Sequence, residues 1–153
     1  MSPESDENAV LRFAFAVRKL TTELNAALAT RFRPLGLTCV QAEALMALDA
    51  LGPVTLKQLA EHLVAESGHP SRLISRLVDD GLVTRAASES DGRAVTLLLT
   101  ERGRDLAAQA RAARAPLVAE FARRHGDRLD ATTDLMRELW TAMAEQQDSS
   151  RTM

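Results

Sequence analysis

Hydrophobic and polar positions alternate along this chain in a helical rhythm that is broken once. From Asn8 to Phe32 the apolar residues Val10, Phe13, Val17, Leu20, Leu24, Ala27 and Leu28 recur at the spacing of an amphipathic helix, and "RPLG" ends it. Thr38 then precedes an apolar run with Gln41 three places on. That pair predicts a capping box, in which hydroxyl and amide satisfy each other's free backbone donors. The helix it opens stops at Gly52-Pro53. Thr55 and Gln58 repeat the device for a short helix buried through Leu56, Leu59, Ala60 and Leu63. After the turn "AES", the segment from Gly68 to Asp80 puts Leu73, Ile74, Leu77 and Val78 on one side, and Gly81 stands where a left-handed helix stop belongs.

The break follows at once. "LVTRAA" and "AVTLLLT" are β-branched and roughly alternating, and the loop between them holds Asp91-Gly92, a dipeptide suited to tight turns. Thr100 then caps another helix, with Leu106, Ala110, Leu117 and Phe121 at helical spacing. Pro116 should bend or break it. "HGDRLD" should interrupt it, and Asp130 should cap a last helix whose seam is Leu135, Met136, Leu139, Trp140 and Met143. The tail "QQDSSRTM" is expected to fray. The expected fold class is therefore mainly α with one small β-hairpin. Short helix, tight turn, second helix and hairpin make a winged helix-turn-helix over residues 36–100. Residues 1–35 and 101–153 supply flanking helices whose apolar stripes exceed what a core of this size can cover. A second copy of the chain is the simplest cover, which makes these segments a helical dimerisation region.

That order gives the hairpin a purpose. A helix laid in a major groove leaves the adjacent minor groove uncovered, and a projecting hairpin with a basic tip can reach it. The tip here is "SESDGR", and Arg93 is its cation. Arginine suits a narrow minor groove because its charged fork is weakly hydrated. Asp91 cannot favour phosphate; its expected role is to hold the loop through turn amides or Arg93. The competing reading is a solvated hairpin. On the second helix, Arg72 and Arg76 lie one turn apart on the face opposite the apolar side, accompanied by Ser71 and Ser75. Two stacked guanidinium groups can approach guanine edges or phosphates, and the small serines permit close approach. Ser67, Gly68 and His69 stand at the amino end, where backbone amides favour a phosphate. The competing reading is a solvated charged face.

Composition sharpens this picture without changing it. The chain has 153 residues, enough for one domain with a real core. An aromatic share of 3% disfavours stacking platforms for single strands or sugars. The net charge of -2 is uninformative as a total, since a basic face can be offset elsewhere. No apolar run approaches the ~18 residues of a membrane span, and "MSPESDENAV" lacks the pattern of a secretory signal. A cytoplasmic location is expected, consistent with a single cysteine, Cys39. His62, His69 and His125 have no ligand spacing with Cys39 or one another, so neither metal nor cofactor is expected. No phosphate loop, HExxH or nucleophile-base pairing appears, which argues against an enzyme.

The stretches "GLTCVQAEALMAL", "VTLKQLAEHL", "SRLISRLVDDGLVTR" and "DGRAVTLLLTERG" together resemble the MarR family of bacterial transcription regulators over nearly the whole chain. The wing pattern of Asp, any residue, Arg, then a strand ending in Leu-Thr and a Gly carries much of that likeness. The resemblance implies a homodimer joined by its first and last helices, with two recognition helices and two wings on a palindromic site in double-stranded DNA. It places Ser71, Arg72 and Arg76 on groove-facing positions, Asp91 as the wing-stabilising acid and Arg93 as the minor-groove arginine. It also implies release by a small, commonly aromatic effector in a cleft beside the dimerisation part, near which Arg12, Phe13, Arg18 and Met46 could lie. Core or dimer contact for the apolar pair and solvent for the arginines is the competing reading. Asp79-Asp80 and Glu89 depart from the more basic pattern of many relatives and predict weaker or less salt-dependent binding. Lys57, Arg85 and Arg102 could add charge near the DNA backbone. Two other functions remain open on these residues: a winged-helix protein-interaction module without DNA binding, favoured by the acidic helix end, and a regulator switched by the Cys39 thiol.

Overall fold

The computed structural model describes residues 3–63, 69–88, 92 and 94–151, with the side chains of these except at 3–5, 148, 150 and 151. The elements, in order, are α1 (Pro3–Phe32), a short 3-10 turn (Arg33–Leu35), α2 (Cys39–Leu51), β1 (Val54–Thr55), α3 (Leu56–His62), α4 (Pro70–Asp79), β2 (Val83–Ala87), β3 (Val95–Leu99) and α5 (Glu101–Arg151). The fold is mainly helical with one small antiparallel sheet, a winged helix. The chain divides into two compact units, 1–114 and 115–153, so the division falls inside α5.

Within residues 1–114 the caps form where the sequence places them. Thr38 accepts the Gln41 N–H and the Gln41 side chain accepts the Thr38 N–H; Thr55 and Gln58 do the same for α3. Helix α4 ends in a Schellman motif: the Gly81 N–H reaches the Val78 carbonyl and the Leu82 N–H reaches the Leu77 carbonyl, both at 2.9 Å. Gly81 has φ of 73°, the left-handed turn that ends the helix at little steric cost to glycine. Phe32, Leu45, Leu59, Ile74, Leu77 and Val83 form the fully buried centre, and Ala107 and Ala110 bring the start of α5 onto it.

Three expectations change. The hairpin is part of a three-stranded sheet in the order β1-β3-β2, because Val54 and Thr55 pair with Leu97 and Thr96. A two-residue strand has no periodicity to read, and Val54 is buried where it pairs with Leu97 of β3. Helix α1 begins at Pro3, not at Asn8. Proline suits a first helical position, and Asp6 and Glu7 favour the positive end of the dipole. Finally, α5 is one helix of 51 residues that contains Pro116, Gly126 and Asp130. Asp130 is an exposed interior residue, not a cap. Pro116 removes one backbone bond, and the surrounding alanine, arginine, leucine and glutamate residues are strong enough helix formers to continue past it. Pairs one turn apart, Arg123–Glu120 at 2.8 Å and Arg137–Asp134 at 2.6 Å, add support.

The junction between α4 and α5 is closely packed. The Leu82 carbonyl accepts the Thr100 N–H at 3.0 Å. The Thr100 hydroxyl donates to the Gly81 carbonyl at 2.7 Å and accepts the Gly103 N–H at 3.0 Å, capping α5. A β-carbon at Gly103 would stand 2.0 Å from the Leu82 oxygen, so α5 approaches this backbone only because residue 103 has no side chain. Gly103→Ala should therefore destabilise the protein by about 1–3 kcal/mol through overpacking. Gly126→Ala, where a β-carbon meets nothing within 4 Å, should stabilise it by about 0.5–1 kcal/mol through helix propensity. Urea unfolding of both variants checks the opposite signs.

Candidate nucleic-acid interface

Helix α4 is fixed from its buried side. Ile74 and Leu77 are 1% and 0% exposed, which turns the opposite stripe outward. Arg72 and Arg76 occupy that stripe one turn apart, both exposed, and neither has a carboxylate within ion-pair distance among the described residues. Ser71 is exposed beside them. Ser75 is half-buried because Arg85 of β2 leans on it: Arg85 Nη2 donates to Ser75 Oγ at 3.2 Å. The serine is therefore less free than the wheel implies, and Arg85 belongs to this surface through a bond between two elements. Local spacing holds no signal for that bond.

His69 is the N-cap of α4. Its carbonyl accepts the Arg72 and Leu73 N–H groups at 3.0 and 3.2 Å, and its ring makes no cap bond. Ser67 and Gly68, expected beside it, lie outside the described residues. So do Asp91 and Arg93 of the expected wing tip. Gly92 is described and sits exposed in the turn between β2 and β3, which the Ser88 N–H closes onto the Ala94 carbonyl at 2.8 Å. Arg102 Nη1 donates to the Asp80 carbonyl at 3.3 Å, where a cation complements the negative end of α4. Lys57 is exposed on α3.

A cavity of about 420 Å³ opens beside this stripe, lined by Thr38, Val40, Gln41, His69, Arg72, Leu73 and Arg76. It brings together three of the expected contact residues and adds the first turn of α2, which the sequence reading did not count as part of the surface. Leu73 and Val40, both half-buried, are its apolar lining. The chemistry of such a surface is that of an anion reader: two guanidinium groups, an imidazole and hydroxyl groups around a small apolar patch.

The four residues considered for an effector are not gathered. Arg12, Phe13 and Arg18 are exposed on α1, whereas Met46 is 6% exposed in the core beside Leu45 and Leu48. None lines this cavity or the smaller one of about 150 Å³ bordered by Leu48, Asp49, Pro53, Leu99 and Arg104. Among the described residues no group of three His, Cys, Asp or Glu side chains is placed to hold a metal ion. No single helix among them is long and apolar enough to cross a membrane.

Cys39 opens α2 and is half-buried, with Sγ 3.5 Å from the Asn25 carbonyl. Burial, with help from the charge of Glu43 one turn on, pushes its pKa above the ordinary thiol value. Burial also raises the Glu43 carboxyl, against the opposing pull of Arg114.

Residues 37–95 match the model of the MarR family. The organic hydroperoxide resistance transcriptional regulator of Bacillus subtilis is 38% identical over 69 residues, 45% of this chain and 47% of the relative. An HTH-type transcriptional repressor of Mycobacterium tuberculosis is 37% identical over 93 residues, 61% of this chain and 64% of the relative. The chain thus matches from about half to just under two thirds of the length of these relatives. Among solved structures, a mutant MarR from E. coli complexed with operator DNA superposes with a TM-score of 0.74 at 22% identity, covering 86% of this chain and 96% of that one. At that identity the likeness is one of fold.

The surroundings of Cys39 make a reactivity prediction. Only the thiolate is an effective nucleophile, so a raised pKa keeps the residue protonated and slow at neutral pH. Its alkylation rate should rise with pH through a midpoint above that of an ordinary thiol. Glu43→Gln, which removes a charge that opposes ionisation, should move the midpoint down. Maleimide labelling of the folded protein across a pH series checks both.

Proposed function

Because residues 37–95 match the model of the MarR family, we propose that this chain is a dimeric, sequence-specific DNA-binding transcriptional repressor, released from a palindromic operator by a small ligand. The observation that carries the proposal is the exposed pair Arg72 and Arg76, one turn apart on a helix whose opposite face is locked into the core. With no carboxylate partner among the described residues, the two outward guanidinium groups leave a cationic stripe open to an external anion. Laid in a major groove, the same pair can reach guanine O6 and N7 or the flanking phosphates. The fold likeness to a MarR structure holding operator DNA supports that placement. The minor-groove role of Arg93 and the loop-holding role of Asp91 come with the family resemblance.

A second copy is part of the proposal for a physical reason. In residues 1–114, α1 exposes Val10, Leu11, Phe15 and Leu20 at 51–71%. In residues 115–153, Val118, Leu135, Trp140 and Met143 are exposed at 49–58%. Apolar side chains in such numbers call for cover. A dimer would provide it and would present two recognition helices to half-sites about 34 Å apart. The effector would act by changing the separation of the two helices, with a coupling of ~1–3 kcal/mol between ligand and operator.

Selection of bound duplexes from a random pool tests the reading directly and should return a palindrome. On that operator, Arg72→Ala and Arg76→Ala should each cost about 1–3 kcal/mol. The base-reading arginine should relax the preference at one base pair. A phosphate-binding one should weaken all sequences alike and reduce the salt slope by about 0.9. Arg93→Ala should weaken binding with unchanged thermal stability. Equal binding of parent and the Arg72/Arg76 double variant to selected and random duplex would overturn the proposal.

Self-association is checked separately. Sedimentation should give the mass of two chains, and Trp140→Glu should shift it toward one.

A further inference from the structure

A hydroxyl on a helix commonly turns its proton back onto the carbonyl one turn earlier. Thr21, Thr22, Thr30, Thr132 and Ser149 all do so here, at 2.8 to 3.1 Å. Ser75 on α4 does not. Its oxygen instead accepts Arg85 Nη2, which reaches it from ten residues away on β2. A serine oxygen carries one proton and two lone pairs. With one lone pair facing a cation, the proton is directed away from the guanidinium, and no described residue accepts it. Ser75 is one turn from Arg72 and adjacent to Arg76, so the proton is available at the edge of the outward stripe.

We infer that Arg85 presents the Ser75 hydroxyl as a hydrogen-bond donor to one base edge in the major groove, which makes Ser75 a specificity-determining residue and Arg85 its positioning residue. The inference rests on the DNA-binding reading above and adds to it what the helix discriminates. A free serine hydroxyl rotates and can either donate or accept, so it tells bases apart poorly. Once Arg85 fixes it as a donor, guanine O6 or N7 and thymine O4 are matching acceptors. The amino group of cytosine is another donor and is refused. One position in each half-site should therefore favour guanine or thymine over cytosine.

A guanidinium that served only as a phosphate clamp would behave differently. Its removal would weaken every sequence by the same factor and lower the salt slope. Removal of a positioning group changes the preference at one base pair, the same pair that depends on Ser75.

The test uses the full chain, with Ser75→Ala, Arg85→Ala and the double variant, titrated by fluorescence anisotropy against the selected palindrome. Each base is substituted in turn at every position of the half-site, symmetrically. The parent should prefer guanine or thymine over cytosine at one position by roughly three- to tenfold, the worth of one hydrogen bond. Both single variants should flatten that preference at that position, and the double variant should flatten it no further. Thermal unfolding of the variants should match the parent, since Arg85 is exposed. The inference is overturned if Arg85→Ala weakens all sequences equally, if the two single variants relax different positions, or if cytosine binds as well as guanine and thymine everywhere in the parent. A parent that selects no sequence at all defeats the DNA-binding reading itself, and the inference falls with it. Failure of the variants on a tightly bound operator defeats only the role given to Ser75 and Arg85.

Discussion

The peptide of Leu82 is the point on which the outward surface of α4 depends. Its N–H is bonded to the Leu77 carbonyl in the Schellman turn, and its carbonyl accepts the Thr100 N–H while Gly103 lies against the same oxygen. Thr100 adds a bond to the neighbouring Gly81 carbonyl, and Arg102 adds one to Asp80. Each bond is worth only about 1 kcal/mol net. Together they share donors and acceptors, so α4 cannot rotate about its axis without losing several at once. Rotation of α4 by one residue would carry Arg72 and Arg76 off the outward stripe. The direction in which the two arginines face is thus set at the far end of α4, by the Leu82 peptide and by the α5 glycine, Gly103, that lies against it.

What could be read from sequence follows from how local each cause is. The capping boxes and the Gly81 stop were legible because donor, acceptor and stop lie within five residues of one another. The face of α4 was legible because Ile74 and Leu77 impose the wheel. The role of Gly103 was not: it depends on a carbonyl 21 residues earlier, and only the family resemblance drew attention to it. Strand β1 was missed because its two residues owe their conformation to β3. The break expected near Pro116 and "HGDRLD" was a local signal overruled by the length of good helix formers on either side. At the site, Arg72, Arg76 and Ser71 stand where the pattern puts them. The tie between Ser75 and Arg85 joins a helix to a strand, and the cavity joins α2 to α4; neither has a sequence period. Ser67, Gly68, Asp91 and Arg93 rest on sequence reasoning alone.

The charges of this surface bear on how a regulator of this kind would work. The α4 stripe offers two arginines, then ends in the exposed pair Asp79 and Asp80, and the Arg102 guanidinium is engaged by the Asp80 carbonyl. On the proposed reading, few cations meet phosphate, so counterion release supplies a modest share of affinity. Discrimination must then come from contacts with base edges, where a directed donor such as Ser75 matters more than another positive charge. A ligand coupling of ~1–3 kcal/mol changes affinity several-fold to ~150-fold whatever the starting value. It empties an operator only when the starting affinity lies near the working protein concentration. On the proposed reading, the acidic end of α4 would hold affinity down without touching Arg72 and Arg76, and so would keep the complex within reach of so small a coupling.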